Sequence, residues 1–279
     1  MIKNISMQEY RENEALSNHE LQIFKNNPSS YIWNKKAPSD PNKTGTSDLG
    51  TALHAKLLEP ETYDDLIIVA DVKGRSTVAF SKLQIENPEN IVLTEIEAEQ
   101  VRIMADSAGH DPMFKAILDC DGQAEASVFV IDPNTGLKLK IRPDKVLYGF
   151  LGQSVTLADV KTTSNIDDWR NTAKWKNPLF TFGYGFTAAY YLYVGSIHFD
   201  TELTEYLFPI VQTSSCLGKY PVSVFKITKQ ELIEMGFWYE MLETLQYFAH
   251  CKAENEFTTF EYFPNFGNYD DEIIINDVE

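Results

Sequence analysis

The residues best equipped for chemistry are two carboxylates and a lysine, in Arg142-Pro143-Asp144 and Ala158-Asp159-Val160-Lys161-Thr162-Thr163. Alternate side chains of a β-strand share a face, so a strand over Val155–Lys161 aims Asp159 and Lys161 at the same spot. Asp144, at the end of the preceding extended segment, supplies a second carboxylate. Oxygen ligands beside a fixed ammonium suit a hard cation such as Mg²⁺, and together they are the minimal equipment for cleaving a phosphodiester. Lys161 would position or deprotonate the attacking water, or meet the charge developing on the phosphate. The same spacing also fits a plain ion pair on a strand edge, and the upstream Pro-Asp is what argues for a site.

Three further motifs could join it. Glu125, in Ala124-Glu125-Ala126-Ser127, is costly in a core-like strand unless paired or metal-bound, so it either faces solvent or adds a third acid. His54, in Gly50-Thr51-Ala52-Leu53-His54, is a metal ligand or phosphate contact if the acids are near it, and otherwise a structural histidine. His198-Phe199-Asp200 has the form that opens a facial triad for non-haem iron, with His250, late in a helix, as the one downstream candidate for the third ligand.

The elements that must position these residues are readable from caps, turns and periodicity. Ser17-Asn18-His19-Glu20 is a capping box that starts a helix ending before Pro28, and Pro28 opens a second short helix. Residues 37–47 read as loop. A helix over Asp48–Leu58 carries Leu49, Leu53 and Leu57 as a buried stripe, with His54 at its edge. Leu66–Ala70 is a strand, and 71–90 carries no clear period. Thr94 and Glu97 cap a helix running toward Ala108. Two strands, Gln123–Ile131 and Leu137–Leu147, are joined by Asp132-Pro133-Asn134-Thr135-Gly136, which has strong turn chemistry. Val155–Lys161 follows, then a helix from Ser164 to Lys174, a long aromatic helix from Pro178 through Tyr193, strands Glu205–Gln212 and Val222–Ile227, and a helix from Thr228 to Lys252. This order implies a mixed α/β domain with a mixed central sheet flanked by helices. The expected organisation is an N-terminal helical segment and loop over 1–46, a core over 47–252 and an acidic, aromatic tail over 253–279, forming a single domain overall.

Composition bounds the rest. The chain has 279 residues, 43% hydrophobic and 23% charged, as expected of a globular protein. No apolar run is long enough for a membrane span and the N-terminus is too polar for a signal peptide. Three scattered cysteines, Cys120, Cys216 and Cys251, have no CxxC spacing and suit a reducing, cytoplasmic setting. A net charge of −17 argues against nucleic acid at first sight, but local fields decide where a polyanion docks. Between residues 138 and 176 eight basic residues (Lys138, Lys140, Arg142, Lys145, Lys161, Arg170, Lys174 and Lys176) face four acids, whereas from 252 onward Lys252 alone faces eight. The charge is segregated into a basic centre and an acidic tail.

In this order and spacing, Gly50–His54, Arg142–Asp144 and Asp159–Thr163 resemble the PD-(D/E)XK nucleases of the RecB-like branch, and more closely the nuclease domain of the exonuclease VIII (RecE) family. Leu16–Leu21, Tyr31–Trp33, Leu58–Pro60 and Gly218–Val222 are similar too, so the resemblance covers roughly 16 to 250. It implies a restriction-endonuclease-like fold and a processive 5′→3′ exonuclease on linear double-stranded DNA that leaves 3′ single strands. It implies dependence on Mg²⁺, with Mn²⁺ as a substitute, a ring-like homo-oligomer of which a tetramer is one form, and a single-strand annealing protein as partner. By position, Asp144 and Asp159 become metal ligands, Lys161 the catalytic lysine, His54 the active-site histidine and Glu125 an additional acid. Arg142, Lys174 and Tyr191 are the expected DNA contacts. The family's glutamine, four residues before that tyrosine, is here Thr187. This departure keeps a catalytically weak DNA-end-binding or regulatory module, and a related endonuclease, as alternatives.

Overall fold

The structure, a computed structural model, describes residues 2–3, 5–38 and 48–258. Most of the expected 37–47 loop, and the tail from 259 onward, lie outside these residues. The chain begins with strand β1 (Ile2–Lys3), helix α1 (Met7–Glu12), strand β2 (Leu16–Ser17), and helices α2 (Asn18–Asn26), α3 (Pro28–Lys36) and α4 (Asp48–Leu58). Helix starts are set by side chains that accept the first free N–H groups. Ser17 and Glu20 form the expected reciprocal box, as do Thr94 with Glu97 and Thr228 with Glu231. The same chemistry at Ser6 and Glu9 starts α1.

Next come α5 (Tyr63–Leu66), β3 (Ile67–Ala70), α6 (Val78–Glu86), β4 (Ile91–Thr94), α7 (Glu95–His110) and α8 (Pro112–Asp119). The stretch without clear period thus holds a helix, α6, and β4 directly after it pairs in parallel with β3. The expected hairpin is present but bent into two sheets. Its near halves, β5 (Gly122–Ala124) and β8 (Lys145–Tyr148), pair in the central sheet, while its far halves, β6 (Ser127–Ile131) and β7 (Lys138–Ile141), pair in a second sheet with β1 and β2. The bends fall at Glu125, whose φ is +50°, and at Pro143, which has no N–H for a ladder.

The central sheet is completed by β9 (Val155–Ala158), β10 (Lys161–Thr163), β11 (Glu205–Gln212) and β12 (Val222–Thr228). β9 and β10 both pair in parallel with β11, and β12 pairs antiparallel on its other side. The expected strand over Val155–Lys161 is interrupted at Asp159–Val160, yet its register is not. Leu157 and Ala158 face Tyr206 and Leu207, and Lys161 faces Ile210 with the same offset. The Asp159 N–H still donates to the Leu207 carbonyl at 3.0 Å. Pro209 occupies the next position, where a parallel ladder needs a donor to the Asp159 carbonyl and proline has none. Because the register holds, Asp159 and Lys161 keep a common face.

Three expected helices differ. The one after Ser164 is a short 3₁₀ turn over Ile166–Arg170. The long aromatic helix divides into α9 (Pro178–Thr181) and α10 (Tyr184–Phe199) at Gly183, whose φ is +68° and whose missing Cβ would lie 2.3 Å from Gln22 Oε1. The last divides at Gly236, φ +91°, into α11 (Lys229–Glu234) and α12 (Phe237–Glu254). One large core joins the sheet to α2, α10 and α12, through Phe24, Phe186, Tyr190, Phe208 and Phe248. A second core packs α4 and α7 against Val160 and Val211, through Leu53, Val101 and Met104. Helices therefore cover a mixed sheet, as the element order implied. No helix among the described residues is long and apolar enough to cross a membrane.

Two glycines test this packing in opposite directions. A Cβ at Gly122 would lie 1.8 Å from the Val146 carbonyl oxygen, whereas Gly109, exposed near the end of α7, has nothing within 4 Å of that position. Gly122→Ala should lower unfolding stability by about 1–3 kcal/mol or more. Gly109→Ala should raise it by roughly 0.5–1 kcal/mol. Urea melts of the two variants check both signs.

Candidate active site

The site begins with α4. Ala52, Leu53 and Ala55 are buried in the second core and fix the helix, so His54, beside them, reaches the end of β9. Its Nε2 lies 3.0 Å from the Val160 carbonyl and 2.9 Å from Asp144 Oδ2. Both are acceptors, so Nε2 carries the hydrogen. The Val160 N–H donates to the same Asp144 oxygen at 2.5 Å. Val160 thus packs its side chain into the core and offers both backbone groups to the site.

Glu125 enters from the hairpin bend. Its Oε1 is 3.8 Å from His54 Nδ1, and its Oε2 accepts from Arg142 Nε at 2.8 Å. Arg142 also donates through Nη1 to Ser127 Oγ, 2.7 Å, and to the Ile5 carbonyl, 2.9 Å. One ligand atom from each of His54, Glu125 and Asp144 lies within 4.8 Å of the others, and among the described residues no other such group of histidine, cysteine or carboxylate side chains converges. Asp159 and Lys161 stand beside this trio as an ion pair, and Asp159 hydrogen-bonds Asp144.

The electrostatics follow from crowding charge in a buried place. Burial and the neighbouring Asp144 charge push Asp159 up to about 7. Burial acts on Asp144 in the same direction, but His54, then Lys161 and the hydrogen bond from Asp159, hold it below the usual carboxylate range. Burial pulls His54 down, yet Asp144, Glu125 and the Val160 carbonyl raise it well above an ordinary imidazole. Lys161, despite its burial, is raised by Asp159 and Asp144 and stays charged. Two carboxylates, an imidazole and an adjacent acid form a donor set that fits Mg²⁺ through oxygen and Mn²⁺ through oxygen and nitrogen.

The remaining expected site residues are placed differently. Arg142 is turned inward, its side chain 11% exposed, and clamps Glu125 instead of facing solvent. Tyr191 donates to the Arg142 carbonyl at 3.4 Å and so supports the turn before Pro143. Lys174 is exposed above the Phe180 ring. The Thr187 hydroxyl donates to the Gly183 carbonyl and accepts from the amides of Asn18 and Gln22, so α2 brings two amides against the position where the resemblance expects a glutamine. The iron triad is not assembled among the described residues: Asp200 ends α10 with φ +50° while His250 lies in α12, and none of them joins a converging group.

The basic centre is also smaller than its residue count. Lys140 is buried and donates to the carbonyls of Tyr10 and Asn13, closing the end of α1. Lys145 donates to the Leu118 carbonyl, and Lys161 is paired as above. The exposed cations of that segment are Lys138, Arg170, Lys174 and Lys176. Sequence patterns did not reveal the Arg142 clamp or the Val160 backbone groups. A left-handed glutamate leaves no mark comparable to glycine, and backbone groups leave none at all.

Residues 19–259 match the model of a family described as "PDDEXK-like domain of unknown function (DUF3799)". No curated protein matches the chain. Among solved structures, a proposed exonuclease from Eubacterium rectale superposes with a TM-score of 0.56 over 89% of this chain and 87% of that one, at 13% identity. The structure of SSO0001 overlaps with a TM-score of 0.31 over 70% of this chain and 84% of that one, also at 13% identity. The first likeness is one of fold, and the second carries no argument.

Two outcomes follow from this geometry. A divalent cation must displace the proton that Asp159 exchanges near pH 7 and the one that His54 holds more tightly than an ordinary imidazole, so its affinity rises with pH and its binding releases protons. Calorimetry with Mn²⁺ in buffers of different ionisation enthalpy, at pH 6 and pH 8, measures both. Arg142→Met leaves the Glu125 carboxylate without its clamp in a largely buried place and should lower stability by about 3 kcal/mol, measured by chemical denaturation.

Proposed function

The chain belongs to the PDDEXK-like domain family DUF3799, and from that premise we propose that it is a divalent-metal-dependent 5′→3′ exonuclease on linear double-stranded DNA, leaving 3′ single strands for recombination by strand annealing. The observation that carries this reading is the convergence of His54, Glu125 and Asp144 beside the Asp159–Lys161 pair. His54, Glu125 and Asp144 would hold the cation, with Asp159 alongside. Mg²⁺, or Mn²⁺ in its place, supplies Lewis-acid polarisation of the phosphate and lowers the pKa of a water.

The rest belongs to the chain. Lys161 stays protonated between Asp159 and Asp144, so its part is to meet negative charge as it builds on the phosphate, not to take a proton. Asp159 holds Lys161 in place and exchanges its own proton near pH 7. Val160 and His54 fix Asp144, and Arg142 fixes Glu125, so the carboxylates need no reorganisation when substrate arrives. The direction of digestion, the ring-shaped homo-oligomer and the annealing partner rest on the resemblance to the exonuclease VIII family.

The test is digestion of linear duplex DNA labelled at either the 5′ or the 3′ end, with Mg²⁺ and with chelator, beside a covalently closed circle. Loss of the 5′ label first, with the circle intact, is the expected result. Asp159→Asn should abolish digestion with the fold retained, and Lys161→Ala should slow it by on the order of 10²–10³-fold. Nicking of the circle would indicate an endonuclease. Binding of DNA ends without turnover in Mg²⁺ or Mn²⁺ would indicate an end-binding module.

A further inference from the structure

Beyond the trio, Lys161 leads to an unusual stretch of surface. Its Nζ lies 5.3 Å from the centre of the Tyr184 ring, and Tyr184 lies 5.7 Å from Phe182. Phe182 is 66% exposed and Trp175 is 74% exposed. Large aromatic rings left this open are normally removed from water against something. The segment that carries them is held as a unit. Trp169 stacks on Tyr184 with centroids 5.5 Å apart and planes 16° apart, and the Asn177 amide donates to the carbonyls of Trp169 and Asn171.

Charge identifies the occupant. In a chain of net charge −17, residues 169 to 199 contain no aspartate or glutamate, while Arg170, Lys174 and Lys176 lie within the first eight. All three are exposed, and they are three of the four exposed cations of the basic centre. Lys176 lies over the Trp175 ring at 4.8 Å, and Lys174 over Phe180 at 5.0 Å. Open aromatic faces interleaved with cations suit a polyanion whose planar groups are unpaired. That is the chemistry of single-stranded nucleic acid, where bases stack on rings and phosphates meet lysine and arginine.

We propose that Phe182 and Trp175 form a stacking ledge for a single-stranded end of DNA running past Tyr184 toward Lys161, with Arg170, Lys174 and Lys176 meeting its phosphates. This rests on the nuclease reading in placing Lys161 at the cleaved phosphate. An enzyme that attacks from an end must present one strand apart from its complement. A ledge that stacks the released bases offsets the stacking they lose in the duplex.

The test is fluorescence anisotropy of a dye-labelled single-stranded oligothymidylate with the full chain in chelator, where turnover cannot interfere. The wild type should bind it, Trp175→Ala/Phe182→Ala should bind at least tenfold more weakly, and Trp175→Phe/Phe182→Tyr should stay within about threefold of wild type, as one retained ring face per position requires. Both positions are exposed, so unchanged melting curves exclude a folding defect. Equal affinity of the alanine variant, absence of wild-type binding, or ring-dependent binding to phosphatidylserine vesicles without oligonucleotide binding would each overturn the ledge. Mg²⁺-dependent digestion by the wild type is read separately. Digestion with a ring-independent oligonucleotide affinity removes the ledge alone, and ring-dependent binding without digestion removes the nuclease reading alone.

Discussion

A carboxylate taken out of water stays charged only if donors replace the water it loses, and the site is organised around doing this for Asp144. Its Oδ2 receives the Val160 N–H from the strand line beside β8 and faces the Nε2–H of His54 from α4. Those two donors belong to elements that the second core already presses together through Leu53 and Val160. The packing of α4 on the sheet and the ionisation of Asp144 are therefore one problem with one solution. If α4 moved, the core would lose Leu53 and the carboxylate would lose a donor at the same time.

The same economy appears at the hairpin. Bending both strands at one level, at Glu125 and at Pro143, lets one ribbon serve two sheets and delivers a glutamate and an aspartate to the bend itself. A left-handed glutamate costs backbone energy, of order 1 kcal/mol or more. Arg142 from the opposite strand holds it there, and in doing so captures the Ile5 carbonyl and ties the N-terminal segment to the site. Strain at Glu125 persists because the surrounding contacts over-determine it.

Charge in this protein is sorted by depth as well as along the chain. Lys140, Lys145 and Lys161 are used inside, to close a helix, to satisfy a carbonyl and to balance Asp159. What remains outside on the basic side is concentrated at Arg170, Lys174 and Lys176, beside exposed aromatic rings. Against a net charge of −17 for the chain, those three exposed cations stand out.

The sequence by itself determined the local events. Capping boxes at Ser17, Thr94 and Thr228 set helix starts because a side-chain oxygen three residues from its partner needs no tertiary help. The Asp132–Gly136 turn and the span of β11 were legible for the same reason, and so was the pairing of Asp159 with Lys161, which alternation alone predicts. The tertiary structure decided everything that depends on what lies across a gap. It broke the hairpin strands at Glu125 and Pro143, divided the aromatic helix where Gln22 fills the space over Gly183, and kept the Asp159 register past a proline that belongs to a different strand. It turned Arg142 and Lys140 inward and brought His54 to Asp144, 90 positions away in the chain. Burial, and the hydrogen-bond partner each buried group then requires, are properties of the folded neighbourhood and not of the residue, so no local pattern could carry them.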